Sequence, residues 1–285
     1  MTQTSPTATI SLRSSLNAVN MIMPSGYLTG IPYNFFGKYM AGKSLLTLQE
    51  AVYLCSQISK GKEKANVLVF DVDGGYDLFL REWGEVFSAR WDYGGQIYVV
   101  PAYNVQRFSQ TQKHPYFDLP IYEYFGVKSQ VTLSQKGKAN FSAYEPCTGI
   151  VSDYVTKKDV RVIVVDSFSQ IFKDVFQGTE SFGERARAED FLFGLIKSFM
   201  LKHRNVYTFL NHHQSVNPIT GETKIAGGSS VLQNSKVALF LSKNDEKQPV
   251  GEIWLYRYPN VPPFSRHAQI AYSELGIVDA GTASQ

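Results

Sequence analysis

The stretch Gly37-Lys38-Tyr39-Met40-Ala41-Gly42-Lys43-Ser44 matches the pattern G-x-x-x-x-G-K-[ST] in full. Its chemistry is phosphate binding. Gly37 and Gly42 let the backbone curl so that successive N–H groups point inward at phosphate oxygens, and the helix that follows adds the partial positive charge of its N-terminus. Lys43 then bridges the β- and γ-phosphates, and Ser44 offers its hydroxyl to Mg²⁺. The ligand this implies is a nucleoside triphosphate.

Three further groups could work beside it. Val160-Arg161-Val162-Ile163-Val164-Val165-Asp166-Ser167 is an apolar run ending in a carboxylate, and Asp166 at a strand end near the loop can hold the hydration shell of Mg²⁺. Asn66 to Asp73 is a similar run with two carboxylates, Asp71 and Asp73, at its C-terminal end, and these are expected to take different tasks. His212 and His213 stand together at the tip of a third run. Neighbours on an extended chain diverge, and no third ligand is spaced to complete a metal site there.

These groups need a scaffold. Ile31 to Phe36 reads as a short strand into the loop, with Pro32 confined to its start or to an edge. Leu45, Leu46, Leu48, Ala51, Val52, Leu54 and Cys55 recur at helical spacing after it. Gln96 to Pro101 and Val206 to Asn211 read as further strands, and Glu184 to Arg204 as a helix. Residues 231–272 carry an apolar series expected to end in antiparallel strands. Residues 1–20, rich in Ser and Thr, read as a flexible lead-in, 21–280 as one core, about 109–148 as a partly β insertion on its surface, and 281–285 as a tail.

The chain has 285 residues, 44% hydrophobic and 19% charged, enough for one large α/β domain. Two cysteines cannot build a disulfide framework, and no apolar run reaches the roughly 20 residues that cross a bilayer. The expected setting is cytoplasmic, with no membrane partner. A net charge of +3 leaves nucleic-acid contact to local basic loops.

Taken together, Gly30 to Gly37, Val162 to Ser167, Phe209-Leu210-Asn211, the Gly227-Gly228 pair and Ile270 to Ile277 resemble, in order and spacing, the RecA/RadA-type recombinase ATPase family, the archaeal RadA branch in particular. The likeness runs from about Gly26 to Gly276, interrupted by the insertion. It implies a RecA-like P-loop NTPase core, with a mainly parallel sheet flanked by helices and antiparallel strands at the C-terminal end. It also implies ATP and Mg²⁺ as cofactors, single-stranded DNA as partner, recombination or repair as setting, and a homo-oligomer, filament or ring.

By position, the resemblance gives Asp73 the place of the family's water-orienting glutamate, one methylene shorter. It gives His212 the place of a glutamine that senses the γ-phosphate, with Gln214 as a substitute. Segments 174–187 and 215–228 fall where the family's DNA-binding loops lie, making Lys173, Arg185, Arg187 and Lys224 the basic candidates. No helical domain precedes the core and no Phe-x-x-Ala polymerisation motif occurs in the N-terminal segment, so a core-only paralogue or a virus- or plasmid-borne relative is expected. Two alternatives use the same nucleotide residues. One is a helicase or viral DNA-packaging motor with Arg257 or Arg266 acting in trans; the other is a regulatory ATP-binding paralogue with little turnover.

Overall fold

The computed structural model describes residues 9–281 apart from 62, 103–119, 132–140, 174–175, 177–181, 217–220, 222, 227–230, 232 and 244–248. Strands β1 (Ser11–Leu12) and β2 (Tyr27–Leu28) bracket helix α1 (Asn17–Ile22) and lead into β3 (Pro32–Gly37) and α2 (Lys43–Lys60). Next come β4 (Asn66–Asp71), α3 (Tyr76–Trp91), β5 (Ile97–Pro101), α4 (Pro120–Phe125), and the hairpin of β6 (Gly126–Val131) and β7 (Phe141–Pro146). After α5 (Ile150–Lys157), β8 (Val160–Asp166), α6 (Gln170–Lys173) and α7 (Phe182–Lys202), the chain closes through β9 (Tyr207–Val216), β10 (Thr223–Ile225), β11 (Val237–Lys243), β12 (Val250–Arg257), β13 (His267–Ser273) and β14 (Gly276–Asp279).

The apolar runs form one large, mostly parallel sheet in the order β14-β13-β12-β11-β3-β9-β8-β4-β5, with β10 paired to β9. From β11 to β5 neighbouring strands are parallel, whereas β12, β13 and β14 are antiparallel. Unbroken Val, Ile and Phe suit strands covered on both sides. Val67, Val69, Val162, Val164 and Phe209 pack under α2 with Leu46 and Val52, while Leu68, Phe70, Ile163, Val165 and Leu210 pack with Phe125, Leu192 and Phe199 of α4 and α7. The period of two in each strand therefore feeds two cores at once.

Several elements differ from the sequence reading. The segment read as a flexible lead-in is built into the fold from residue 9 onward: Leu16, Ala18, Val19 and Ile22 are buried, and the Asp279 carboxylate accepts the N–H groups of Asn17 and Ala18 at 3.0 and 2.7 Å. Negative charge at these amides satisfies donors that the first turn of a helix leaves open. From α2, Glu50 accepts the Ser15 N–H at 3.2 Å, and the Gln49 amide makes two 2.8 Å bonds to the Ile277 backbone. Both ends of the core are thereby tied to α2, the helix that opens at Gly42.

Helices α3 and α5 occupy stretches given no helix from sequence, and β9 continues through both histidines to Val216. Within the expected insertion, β6 and β7 do pair as an antiparallel hairpin. Ile121, Tyr122 and Phe125 of α4, however, are buried in the second core rather than lying on its surface. Among the described residues no helix is long and apolar enough to cross a membrane.

Candidate functional site

Gly37 closes β3 and Gly42 opens α2, and neither position has room for a side chain. A Cβ on Gly37 would sit 2.3 Å from the Leu241 carbonyl oxygen; one on Gly42, where φ is +81°, would meet the Tyr272 ring at 2.7 Å. The loop is thus moulded against β11 and β13. Tyr272 also donates its hydroxyl to the Ala41 carbonyl at 2.9 Å. Tyr272→Phe should cost about 1 kcal/mol of unfolding free energy, the usual net worth of one hydrogen bond, readable in a urea titration.

Lys38, Tyr39 and Met40 are exposed at the loop's crest, whereas Lys43 is buried. Its ammonium donates to the carbonyls of Gly37 at 3.2 Å and Lys38 at 2.8 Å. Burial pulls the Lys43 pKa down, and Asp166 and Asp73 pull it back up. A ligand phosphate offers this cation a full negative charge in place of two neutral carbonyls.

The buried Asp166 carboxylate has Ser44, Asn211 and Lys43 for neighbours; burial raises its pKa and these three groups lower it. Asn211 also donates its Nδ2 to Thr47 at 3.0 Å, which leaves its buried Oδ1 with no hydrogen-bond partner. A hydroxyl, a carboxylate and an unpartnered amide oxygen form a hard-oxygen set that fits Mg²⁺ with waters and phosphate completing the shell. Among the described residues no group of three His, Cys, Asp or Glu could hold a metal by itself.

The two carboxylates divide their work because β4 ends at Asp71 and Asp73 lies beyond the strand. Asp71 accepts the backbone N–H of Gly74 at 2.9 Å and of Tyr76 at 3.0 Å, shaping the entry to α3. Asp73 lies past the strand end, half-exposed, where Ser167 donates to it at 3.3 Å. His213 Nε2 stands 3.1 Å from Ser167 Oγ and 4.0 Å from the nearer Asp73 oxygen. These distances fit a chain in which the His213 Nε2–H donates to Ser167 and the Ser167 hydroxyl donates to Asp73. Burial, with Lys173 and Lys43 nearby, holds the His213 pKa down to about 4, so its ring is neutral at ordinary pH.

His212, the histidine singled out for γ-phosphate sensing, is not brought to the loop. It is wholly buried on the opposite face of β9, with Nε2 2.9 Å from Asn34 Oδ1 and its ring 5.1 Å from that of Phe168. Burial first, then His213 and Lys43, push its pKa down to about 3. Strand parity is the reason: Phe209, Asn211 and His213 share the α2 side, and His212 does not. His213, Ser167 and Asn211 are the site residues that sequence reasoning left out. Counting in twos from Phe209 along β9 is the signal that finds two of them.

The basic candidates separate as well. Lys173 is exposed at the end of α6, Arg187 is exposed on α7, and Lys224 is half-buried on β10 opposite Ser215. Arg185 is already engaged, donating from Nε to the buried Glu189 at 2.9 Å with its own side chain only 16% exposed. An arginine drawn into that pair is poorly placed to meet a phosphate. Gly227-Gly228 and half of the two expected DNA loops lie outside the described residues. Arg257 and Arg266 flank the β12–β13 connection, at the antiparallel end of the sheet. In comparisons with known proteins, no family model matches the chain and no curated protein matches its sequence.

Proposed function

We propose that the chain is an ATP-binding and ATP-hydrolysing protein with a RecA-like P-loop core that acts on single-stranded DNA as a homo-oligomer inside the cell. The observation that carries this reading is the convergence of Lys43, Ser44 and Asp166 at a strand–loop–helix junction, beside the Asp73, Ser167 and His213 chain. On this reading the loop amides and Lys43 bind the β- and γ-phosphates, Lys43 exchanging its two carbonyl partners for phosphate oxygens. Ser44, Asp166 and Asn211 would hold Mg²⁺, which when bound neutralises charge on the phosphate oxygens.

Asp73 orients the attacking water, and the neutral His213, whose one N–H is given to Ser167 in the empty site, would turn that Nε2–H to the γ-phosphate when nucleotide binds. The His213 main chain is clamped too, its N–H donating to Ser169 Oγ at 2.8 Å and its carbonyl accepting from Ala226 at 2.8 Å. A movement of this ring on phosphate binding would carry the β9–β10 hairpin with it. That hairpin holds Lys224, and Lys173 lies near the same ring, which supports DNA as the partner that feels the nucleotide.

The test is ATP turnover with and without single-stranded DNA. The reading expects stimulation that weakens as salt rises, because phosphate contacts release counterions. His213→Ala should lower stimulated turnover by about ten-fold or more, the scale of one positioned donor or base. His212→Ala should instead cost about 1–3 kcal/mol of stability by leaving Asn34 without its buried partner, with much less effect on turnover of the folded fraction. The second reading, a regulatory paralogue, draws on the shorter Asp73 side chain and its bond to Ser167. It expects tight ATP binding with no stimulation by DNA.

A further inference from the structure

At the antiparallel end of the sheet the described residues bury one face fully and leave the other partly exposed. Ile253, Leu255 and Ile270 join the core beneath α1 and α2, whereas the alternate residues of β11 and β12 form a partly exposed aromatic field of Phe240, Trp254 and Tyr256. Phe264, in the β12–β13 connection at a φ of +56° and 38% exposed, folds back over this field. Its ring lies 6.0 Å from Phe240, 6.1 Å from Trp254 and 4.9 Å from Tyr256. On the neighbouring strand His267 stacks on Trp254 at 4.0 Å and 17°.

Between these rings and β10 lies a cavity of about 440 Å³ lined by Thr223, Phe240, Ser242, Glu252, Trp254 and Phe264. Its size lies within the range of small-molecule sites, about 300–1,000 Å³. We infer that this cavity receives a base of single-stranded DNA. The inference rests on the proposed function for its DNA, but the site is separate from the nucleotide loop.

Three features favour a base over an apolar side chain of a partner protein. The walls are aromatic faces, on which any base can stack. The rim is polar: Glu252 accepts the Trp254 indole N–H at 3.0 Å, which fixes a carboxylate where it can accept from the exocyclic amine of cytosine, with Ser242 and Thr223 alongside. An apolar partner would bury those groups without replacing their water. Arg257, paired with Ala238 across β11 and β12, brings a guanidinium to the same face for the strand's phosphates. Thr223 places the cavity against the hairpin that continues from His213, so a strand held here runs beside the element proposed to move with ATP.

The experiment uses the full chain with ATP and Mg²⁺, and labelled oligo-dC and oligo-dT of about 15 nucleotides, followed by anisotropy and by tryptophan emission. Expected are quenching of Trp254 emission on binding, a preference for oligo-dC, and about ten-fold weaker binding or more in Phe264→Ala. Glu252→Met, at the cavity's rim, removes the acceptor at similar size and should keep oligo-dT affinity and lose the oligo-dC preference; it carries the test if Phe264→Ala fails to fold. Binding of both strands with unchanged affinity in Phe264→Ala and unchanged preference in Glu252→Met overturns the cavity and leaves DNA action standing elsewhere. Dissociation of an oligomer in Phe264→Ala, with DNA affinity intact, overturns it in favour of a second copy of the chain. ATP turnover by a wild-type protein that binds neither strand overturns the cavity and the DNA half of the proposed function together.

Discussion

Lys43→Ala is expected to lower ATP turnover by about 10²–10³-fold, the scale on which one preorganised charge or donor acts on a transition state. The substitution removes the group that, on the proposed reading, follows negative charge as it moves onto the leaving phosphate. It should not unfold the protein. Lys43 is buried with only two neutral carbonyls as direct partners, and burial already depresses its pKa, so the cation is a cost to the empty fold. Thermal unfolding of the variant should therefore occur no lower than in the wild type, while hydrolysis collapses. Loss of activity accompanied by loss of folding would mean that Lys43 braces the loop rather than serving a phosphate.

That separation between a costly group and the fold around it also explains what could be read in advance. The strand–loop–helix junction at Gly37 to Ser44 and the strands ending in Asp71 and Asp166 were legible because their signals are local: glycines at fixed spacing, and unbroken runs of Val, Ile and Phe. The placement of His213 was not, because it depends on which face of β9 packs under α2, a tertiary fact carried by Phe209 and Asn211. Helix α3 did leave a trace, with Tyr76, Phe79, Leu80, Trp83 and Phe87 at helical spacing, but the glycines before it draw attention to a turn. The N-terminal serines gave no trace. Ser14 and Ser15 look like a solvated tail until Glu50 and Asn20, from distant or adjoining helices, supply their partners.

Glu50 gives the second large effect, and its sign follows from burial. The side chain sits in α2 with no exposed surface, and burial raises its pKa from about 4.5 to about 7 against the opposing influence of Ser15, Ser14 and Arg90. Between those two values the folded chain keeps a proton that the unfolded chain has released. Stability therefore falls as pH rises from about 4.5 to about 7, by about 3 kcal/mol, and levels off above. Glu189, also raised to about 7, acts in the same sense. His212 and His213, depressed to about 3 and about 4, act in the opposite sense, because their stabilisation is present above 6.5 and is lost as pH falls through the folded values.

The total pH profile mixes these contributions, but the difference between wild type and Glu50→Gln isolates one of them. Glutamine keeps the shape and an acceptor for the Ser15 N–H and never ionises. Urea unfolding at pH 5 and pH 8 should therefore show the variant gaining about 3 kcal/mol relative to wild type between the two conditions. A constant difference across that interval would mean that Glu50 reaches water or is fully compensated by Arg90. The clasp that joins the N-terminal segment to α2 would then work as an ion pair and not as a buried acid.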